Sequence, residues 1–269
     1  MRLSMSIITL TTDFGLADSY VGMMKGVILS ITPDAKLVDL SHEIAPQNVR
    51  QAAYALHAAA PYFPTGTVHL AVVDPGVGSD RRALAVHTLR GCLVGPDNGL
   101  FTLFLADEPG AECRAITNPE FMLPHVSPTF HGRDVFAPVA AHLARGLDIA
   151  QLGPRVTDPV MFAIPVPTQQ ADGSWLGHVL YTDHFGNLIT SVTEDLVQHI
   201  GDIEVSIGQR RIAGLCHTYA EAAPGELVAL VGSSGHLEIS TVNGNAAQSL
   251  GLGPDTSVVL RAIHQAVQR

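Results

Sequence analysis

The stretch VVDPGVGSDRR, residues 72–82, is an apolar run ending in a glycine turn that carries one carboxylate, Asp74, and two arginines, Arg81 and Arg82. An acid and a guanidinium on either side of a turn make either an ion pair that closes a strand end or a site that handles water or an anion. Alternation along the following strand turns Arg82 away from Arg81. TTDFG with Asp13 and GPDNG with Asp97 and Asn98 also end apolar runs, and TFHGRD with His131, Arg133 and Asp134 stands at a helix start. Each has a plain structural use: Asp97-Asn98-Gly99 as a turn, Asp134 as a helix cap. Ligands of open α/β sheets, however, sit beyond the carboxyl ends of the strands, so polar groups at several equivalent ends point to a site.

The second half of the chain has one dense motif, YTDHFGNLITSV, residues 181–192. The Asn187 amide donates and accepts at once, which matches the edge of an adenine base, and Phe185 offers a ring for stacking. The plain alternative is a hairpin turn in which Asp183 and Asn187 bond to backbone. GSSGHLEISTVNGNAA, residues 232–247, adds a Gly-Ser turn whose backbone donors suit a carboxylate. Several familiar chemistries are excluded. No GxGxxG follows the first strand, and neither GxxxxGK[ST] nor GxSxG occurs. HEIAP at 42–46 lacks the second histidine of HExxH. The 13 histidines are scattered, and His42, His57, His69, His87, His125 and His131 show no ligand spacing, so no metal or other cofactor is expected.

The elements that must position these residues alternate. SIITLTTDF, KLVDL, TVHLAVVD, RALAVHT and GCLVGP read as strands, KLVDL as a short buried one. Helices are expected over DSYVGMMKGVILSITP, with Val21, Met24, Val27, Ile28 and Ile31 on one face, and over NVRQAAYALHAAAPYF. Further helices are expected at NGLFTLFLAD and at GRDVFAPVAAHLARG, the last stopping at Gly146. This order predicts an α/β domain with a mainly parallel central sheet over 1–155. A proline-rich connector, 156–170, follows. Short strands separated by turns then predict a smaller, mostly antiparallel β domain over 171–269.

Composition agrees with a folded chain: 46% of the 269 residues are hydrophobic and 15% charged. A net charge of -10 argues against nucleic acid as a partner. Cys92, Cys113 and Cys216 show no paired spacing and read as reduced thiols. The N-terminal apolar stretch is too short for a signal peptide, and no run approaches a membrane span, so a cytoplasmic location is expected.

Taken together, LTTDFG, VVDPGVGSDRR, GPDNGLF, TFHGRDVFAP, YTDHFGNLITS and GSSGHLEIS resemble one family along essentially the whole chain. It is the S-adenosyl-L-methionine hydrolases, or hydroxide adenosyltransferases, relatives of the fluorinase and chlorinase. The resemblance implies a homotrimer with sites between subunits and cleavage of S-adenosylmethionine to adenosine and methionine. It implies that Asp74, Arg81 and His131 position water and that Asp13 binds the ribose. The methionine ammonium group is expected at Asp183, its carboxylate at Ser233, and the adenine at Asn187 and the backbone around Asn243. The halogenating relatives place a tryptophan about where Gln47 stands and lack the acid–guanidinium pair, so the resemblance favours water over halide as nucleophile. Sulfur leaves a sulfonium as a neutral thioether and needs no general acid, so the work is to aim and activate water. Either Asp74 or His131 is the base, and Arg81 steadies the developing negative oxygen. A 5′-halogenase and a non-catalytic binder of S-adenosylmethionine or adenosine are the alternatives.

Overall fold

The computed structural model describes residues 6–263. Residues 1–5, on which the signal-peptide reading partly falls, lie outside the described residues. The chain divides into two compact units, residues 1–162 and 163–269.

The first unit runs β1 (Ile7–Thr12), α1 (Tyr20–Ile31), β2 (Lys36–Ser41), α2 (Val49–Ala59), β3 (Thr67–Val72), β4 (Ala83–His87), β5 (Gly91–Pro96), α3 (Thr102–Asp107), β6 (Glu112–Ala115) and α4 (Ala137–Ala144). Its sheet has the order β2-β1-β3-β5-β4-β6. β1 is parallel to β2 and β3, and β3 to β5, while β4 is antiparallel to β5 and β6. The turn between β4 and β5 is too short for a crossover, so that pair must be antiparallel. All six residues of β3 are buried, Thr67 and His69 among them, as expected of a near-continuous apolar strand covered on both faces. β2 corrects the reading of KLVDL as buried. It is the edge strand, and none of its residues is buried, because it has a neighbour on one side only.

Met24 and Ile28 of α1, with Phe136 and the inward residues of α4, pack on Leu10 and Leu70 in the main core. Each such fully buried side chain contributes about 1.5–3 kcal/mol. The expected helix over GRDVFAPVAAHLARG starts with a wide π-helical turn, Gly132–Phe136, before α4. Pro138 has no N–H to return to the Asp134 carbonyl, and the Leu123 N–H bonds that carbonyl at 2.9 Å instead.

Part of the segment read as a connector packs on the first unit. The Val160 N–H donates to Asp97 Oδ1 at 2.8 Å, and the Phe162 N–H to Thr102 Oγ1 at 3.1 Å.

The second unit contains β7 (Thr168–Gln169), β8 (Trp175–Thr182), β9 (Leu188–Thr193), α5 (Glu194–Ile200), β10 (Ile203–Ile207), β11 (Arg210–Ala213), β12 (Leu227–Val231), β13 (His236–Thr241), α6 (Ala246–Leu250) and β14 (Ser257–Ala262). Its barrel-like sheet is entirely antiparallel, in the order β11-β10-β14-β8-β9-β13-β12, with β7 added on β8. Alternate residues of β10 (Ile203, Val205, Ile207) face a core shared with Val179, Leu188, Leu237 and Leu260.

Candidate active site

Asp74 follows β3 and Arg81 precedes β4, and the two form a nearly dry, bidentate pair. Arg81 Nε lies 2.9 and 3.1 Å from Asp74 Oδ1 and Oδ2, and Nη2 lies 2.5 Å from Oδ2. The side chains are only 10% and 6% exposed. The guanidinium also stands over the Phe136 ring, 5.2 Å from its centroid, which favours the cation. Nη2 makes a further 2.8 Å bond to Nδ1 of His131. Arginine has donors only, so Nδ1 accepts, and the neutral imidazole carries its proton on Nε2. Burial pushes the His131 pKa below its ordinary value, the Arg81 charge adds to this, and the Asp74 and Asp134 carboxylates oppose it.

Three loops come together here. Thr12 pairs with Val72 in the parallel β1–β3 ladder, so Asp13 and Asp74 leave the sheet at the same edge. Gly78, at φ 78°, approaches so closely that a Cβ would stand 2.5 Å from the Pro128 carbonyl oxygen, which fits the Asp74–Arg81 loop against the loop before His131. Phe14, Tyr20 and Phe130 form an edge-to-face trio with centroids 5.2–5.9 Å apart, tying the Asp13 loop to that of His131. Asn98 Nδ2 donates to the Val73 carbonyl at 2.9 Å and steadies the end of β3. Asp13 Oδ2 accepts the Gln47 N–H at 2.7 Å.

In the second unit, Asp183, Phe185 and Asn187 lie in the β8–β9 turn. Asp183 Oδ1 accepts the N–H groups of Phe185 and Asn187 at 2.9 and 2.8 Å, and Oδ2 accepts Asn187 Nδ2 at 2.9 Å. Asn187 is buried, whereas the Phe185 ring is 71% exposed. Gly186, at φ 86°, lets the Asn245 side chain pack on the turn, and the Ala247 N–H donates to its carbonyl at 2.9 Å. Asn243, at φ 51°, lies in that same 242–247 segment. Ser233 is exposed on the β12–β13 hairpin before β13, and Asn243 follows the end of that strand.

Residues 8–153 match the SAM hydroxide adenosyltransferase N-terminal domain and residues 177–259 its C-terminal domain. The chain belongs to the SAM hydroxide adenosyltransferase family. It is 42% identical over 251 residues to the (R)-S-adenosyl-L-methionine hydrolase of Salinispora tropica, covering 92% of this chain and 94% of that protein. With the hydrolase of that name from Thermus thermophilus it shares 45% over 248 residues, 90% of this chain and 94% of the other. A fluorinase of Nocardia brasiliensis is more distant, at 28% over 292 residues, 95% of this chain and 96% of the enzyme. The crystal structure of an uncharacterized conserved protein from Thermotoga maritima superposes with a TM-score of 0.87 at 35% identity, covering 94% of this chain and 99% of that one.

In this hydroxide adenosyltransferase fold, other polar residues at the strand ends hold loops together. Arg82 Nε binds Asp97 at 2.6 Å and Nη1 binds Asp158 at 2.7 Å, so it faces away from the Asp74 pair and anchors the segment after α4. Fully buried Asp134 takes the Ser127 N–H at 2.8 Å and the Arg133 guanidinium at 2.5 Å, holding the loop before His131. Two polar groups escaped sequence reasoning. Thr12 and His42 are buried and bonded to each other beside Asp13. Glu238, buried on β13, accepts the Tyr219 and Ser240 hydroxyls. HEIAP drew attention to His42 only as a failed zinc motif; no local spacing links residue 42 to residue 12.

Proposed function

We propose that this protein hydrolyses (R)-S-adenosyl-L-methionine to adenosine and L-methionine, with Asp74, Arg81 and His131 handling the water. The R configuration at sulfur is taken from the names of the curated relatives. The carrying observation is the bond network in which Arg81 spans both Asp74 oxygens and His131 Nδ1 at one strand-end edge. Water oxygen attacks ribose C5′ opposite sulfur. The C–O bond forms as the C–S bond breaks, its electron pair goes to sulfur, and the water proton leaves to a base. Asp74 is that base. The Nδ1 lone pair of His131 is taken by Arg81 and Nε2 carries a proton, so the imidazole is a donor that orients the water, while Asp74 Oδ1, which accepts only from Arg81 Nε, keeps a second lone pair. Arg81 steadies the developing hydroxide, and its charge is balanced by Asp74, which lets a sulfonium substrate approach.

Asp13 keeps acceptor capacity beyond its Gln47 bond for the ribose hydroxyls. Asn187 keeps Oδ1 and one amide hydrogen for the adenine edge, with Phe185 stacking and the Asn243 backbone alongside. Asp183 and Ser233 take the ammonium and carboxylate of the methionine. The working form is a homotrimer in the cytoplasm, with sites shared between subunits, and it needs no metal or cofactor. A halide has no proton to give up, so a carboxylate base at Asp74 serves water and does nothing for a halide nucleophile.

The test is product analysis with (R)-S-adenosylmethionine, with and without halide and EDTA. Adenosine and methionine in equal amounts, independent of both additions, support the proposal. A 5′-halogenated nucleoside, methylthioadenosine or stoichiometric binding without product would refute it.

A further inference from the structure

His42 is 4% exposed and takes no part in the reaction proposed above, yet its loop grips the Asp13 loop at three points. Its carbonyl accepts the Gly15 N–H at 2.8 Å. Its Nδ1 is 2.8 Å from Thr12 Oγ1, which itself accepts the Phe14 N–H at 3.3 Å. The Gln47 N–H reaches the Asp13 carboxylate at 2.7 Å, from a residue at φ 65° that few side chains other than glycine adopt. On the far side of the ring, Nε2 lies 3.0 Å from Asp39 Oδ1, off the hydrogen-bond line, and Asp39 Oδ2 pairs with Lys25 Nζ at 2.6 Å. A carboxylate beside Nε2 favours the proton there, which leaves Nδ1 to accept from the Thr12 hydroxyl. The Asp39–His42–Thr12 order has the connectivity of a hydrolytic triad. Thr12 is 0% exposed, however, so its hydroxyl is a strut and not a nucleophile.

We infer that His42, braced by Asp39, is a positioning residue that acts through Thr12 and its own loop to aim the Asp13 carboxylate at the two ribose hydroxyls. This rests on the reading of Asp13 as the ribose contact. Two rigid acceptor positions are needed to meet a vicinal diol, and Asp13 sits just past the end of β1, where the ladder no longer holds it. The Thr12–His42 bond and the Gln47 N–H replace the ladder at that point.

The test measures binding of adenosine and of 2′,3′-dideoxyadenosine by calorimetry to the wild type and to His42→Ala, His42→Asn, Thr12→Val and Asp13→Ala. Thr12→Val keeps the volume and loses only the hydroxyl, so it carries the test if His42→Ala fails to fold. Losing the aim of one charge-assisted contact predicts that Kd for adenosine rises about tenfold or more in His42→Ala and Thr12→Val. Kd for the dideoxynucleoside should stay within about twofold, and His42→Asn, which keeps an acceptor near Nδ1, should recover most of the loss. With S-adenosylmethionine, His42→Ala and Thr12→Val should raise KM and leave kcat nearly unchanged. Equal losses for both nucleosides, or none for either, would overturn the inference. If Asp13→Ala also kept full preference for adenosine, the ribose reading itself would fall.

Discussion

Arg81→Lys separates the charge of Arg81 from its shape. The Asp74–Arg81 pair is nearly dry, with side chains 6% and 10% exposed. Removing the cation from such a pair strands a buried carboxylate, so Arg81→Met should lose about 3–5 kcal/mol of stability. Lysine keeps the charge and should cost far less. Its ammonium is a point donor on a flexible stem, however, and cannot reproduce a fork that meets both Asp74 oxygens and holds His131 Nδ1 at 2.8 Å. The reacting oxygen then loses one oriented donor. Loss of one such donor typically costs roughly 2.7–4 kcal/mol, or about 10²–10³ in kcat. Adenosine release at saturating S-adenosylmethionine, followed by chromatography, reads kcat. Thermal unfolding of the same samples reads stability. Arg81→Lys should unfold near the wild-type temperature, with kcat down by two to three decades and KM little changed. A folded Arg81→Lys protein within about threefold of wild-type turnover would refute the role assigned to the fork.

Other consequences are equally direct. Because burial and Arg81 lower the His131 pKa from its usual 6.5, the imidazole stays neutral as pH falls through 6.5 and protonates only below. The sign follows: its contribution to activity and folding persists down to that pH and is lost on further acidification. A kcat/KM profile with an acid limb centred at 6.5 or above would contradict this. Gly78→Ala forces a left-handed residue and a Cβ 2.5 Å from the Pro128 oxygen, so it should cost more than about 1 kcal/mol in denaturant titration and reduce turnover by shifting the Asp74–Arg81 loop. Inactive Asp74→Asn and Asn187→Ala variants, refolded together, should regain activity at roughly a quarter of sites if each site is shared between neighbours of a ring. No recovery, with subunit exchange confirmed, would place each site within one chain.

How much of this was legible in the sequence varies by residue. That Asp13 and Asp74 stand at strand ends could be read because apolar runs mark β1 and β3. Arg82 could be separated from Arg81 because strand alternation is local. Whether a strand lies at the centre or edge of a sheet depends on partners far along the chain, so KLVDL was misread as buried. The π-helical turn was hidden because Pro138 acts through a missing bond four residues back, while its apolar neighbours keep a helical pattern. In the YTDHFGN turn the structure shows the plain reading, a hairpin turn held by Asp183 and Asn187. Asp183 and Asn187 bond each other and the backbone, and Asn187 still has groups to spare. The Thr12–His42 contact joins residues 30 positions apart, beyond the reach of any local pattern.

The central claim is that water, and not halide or a protein group, is the nucleophile at C5′. Turnover of S-adenosylmethionine in ¹⁸O-labelled water, followed by mass spectrometry of the nucleoside, measures it directly. One ¹⁸O in the 5′-hydroxyl of adenosine, and none in methionine beyond its slow exchange, is the predicted result. Adenosine without label after a single turnover, or a nucleoside with no new oxygen at C5′, would contradict it.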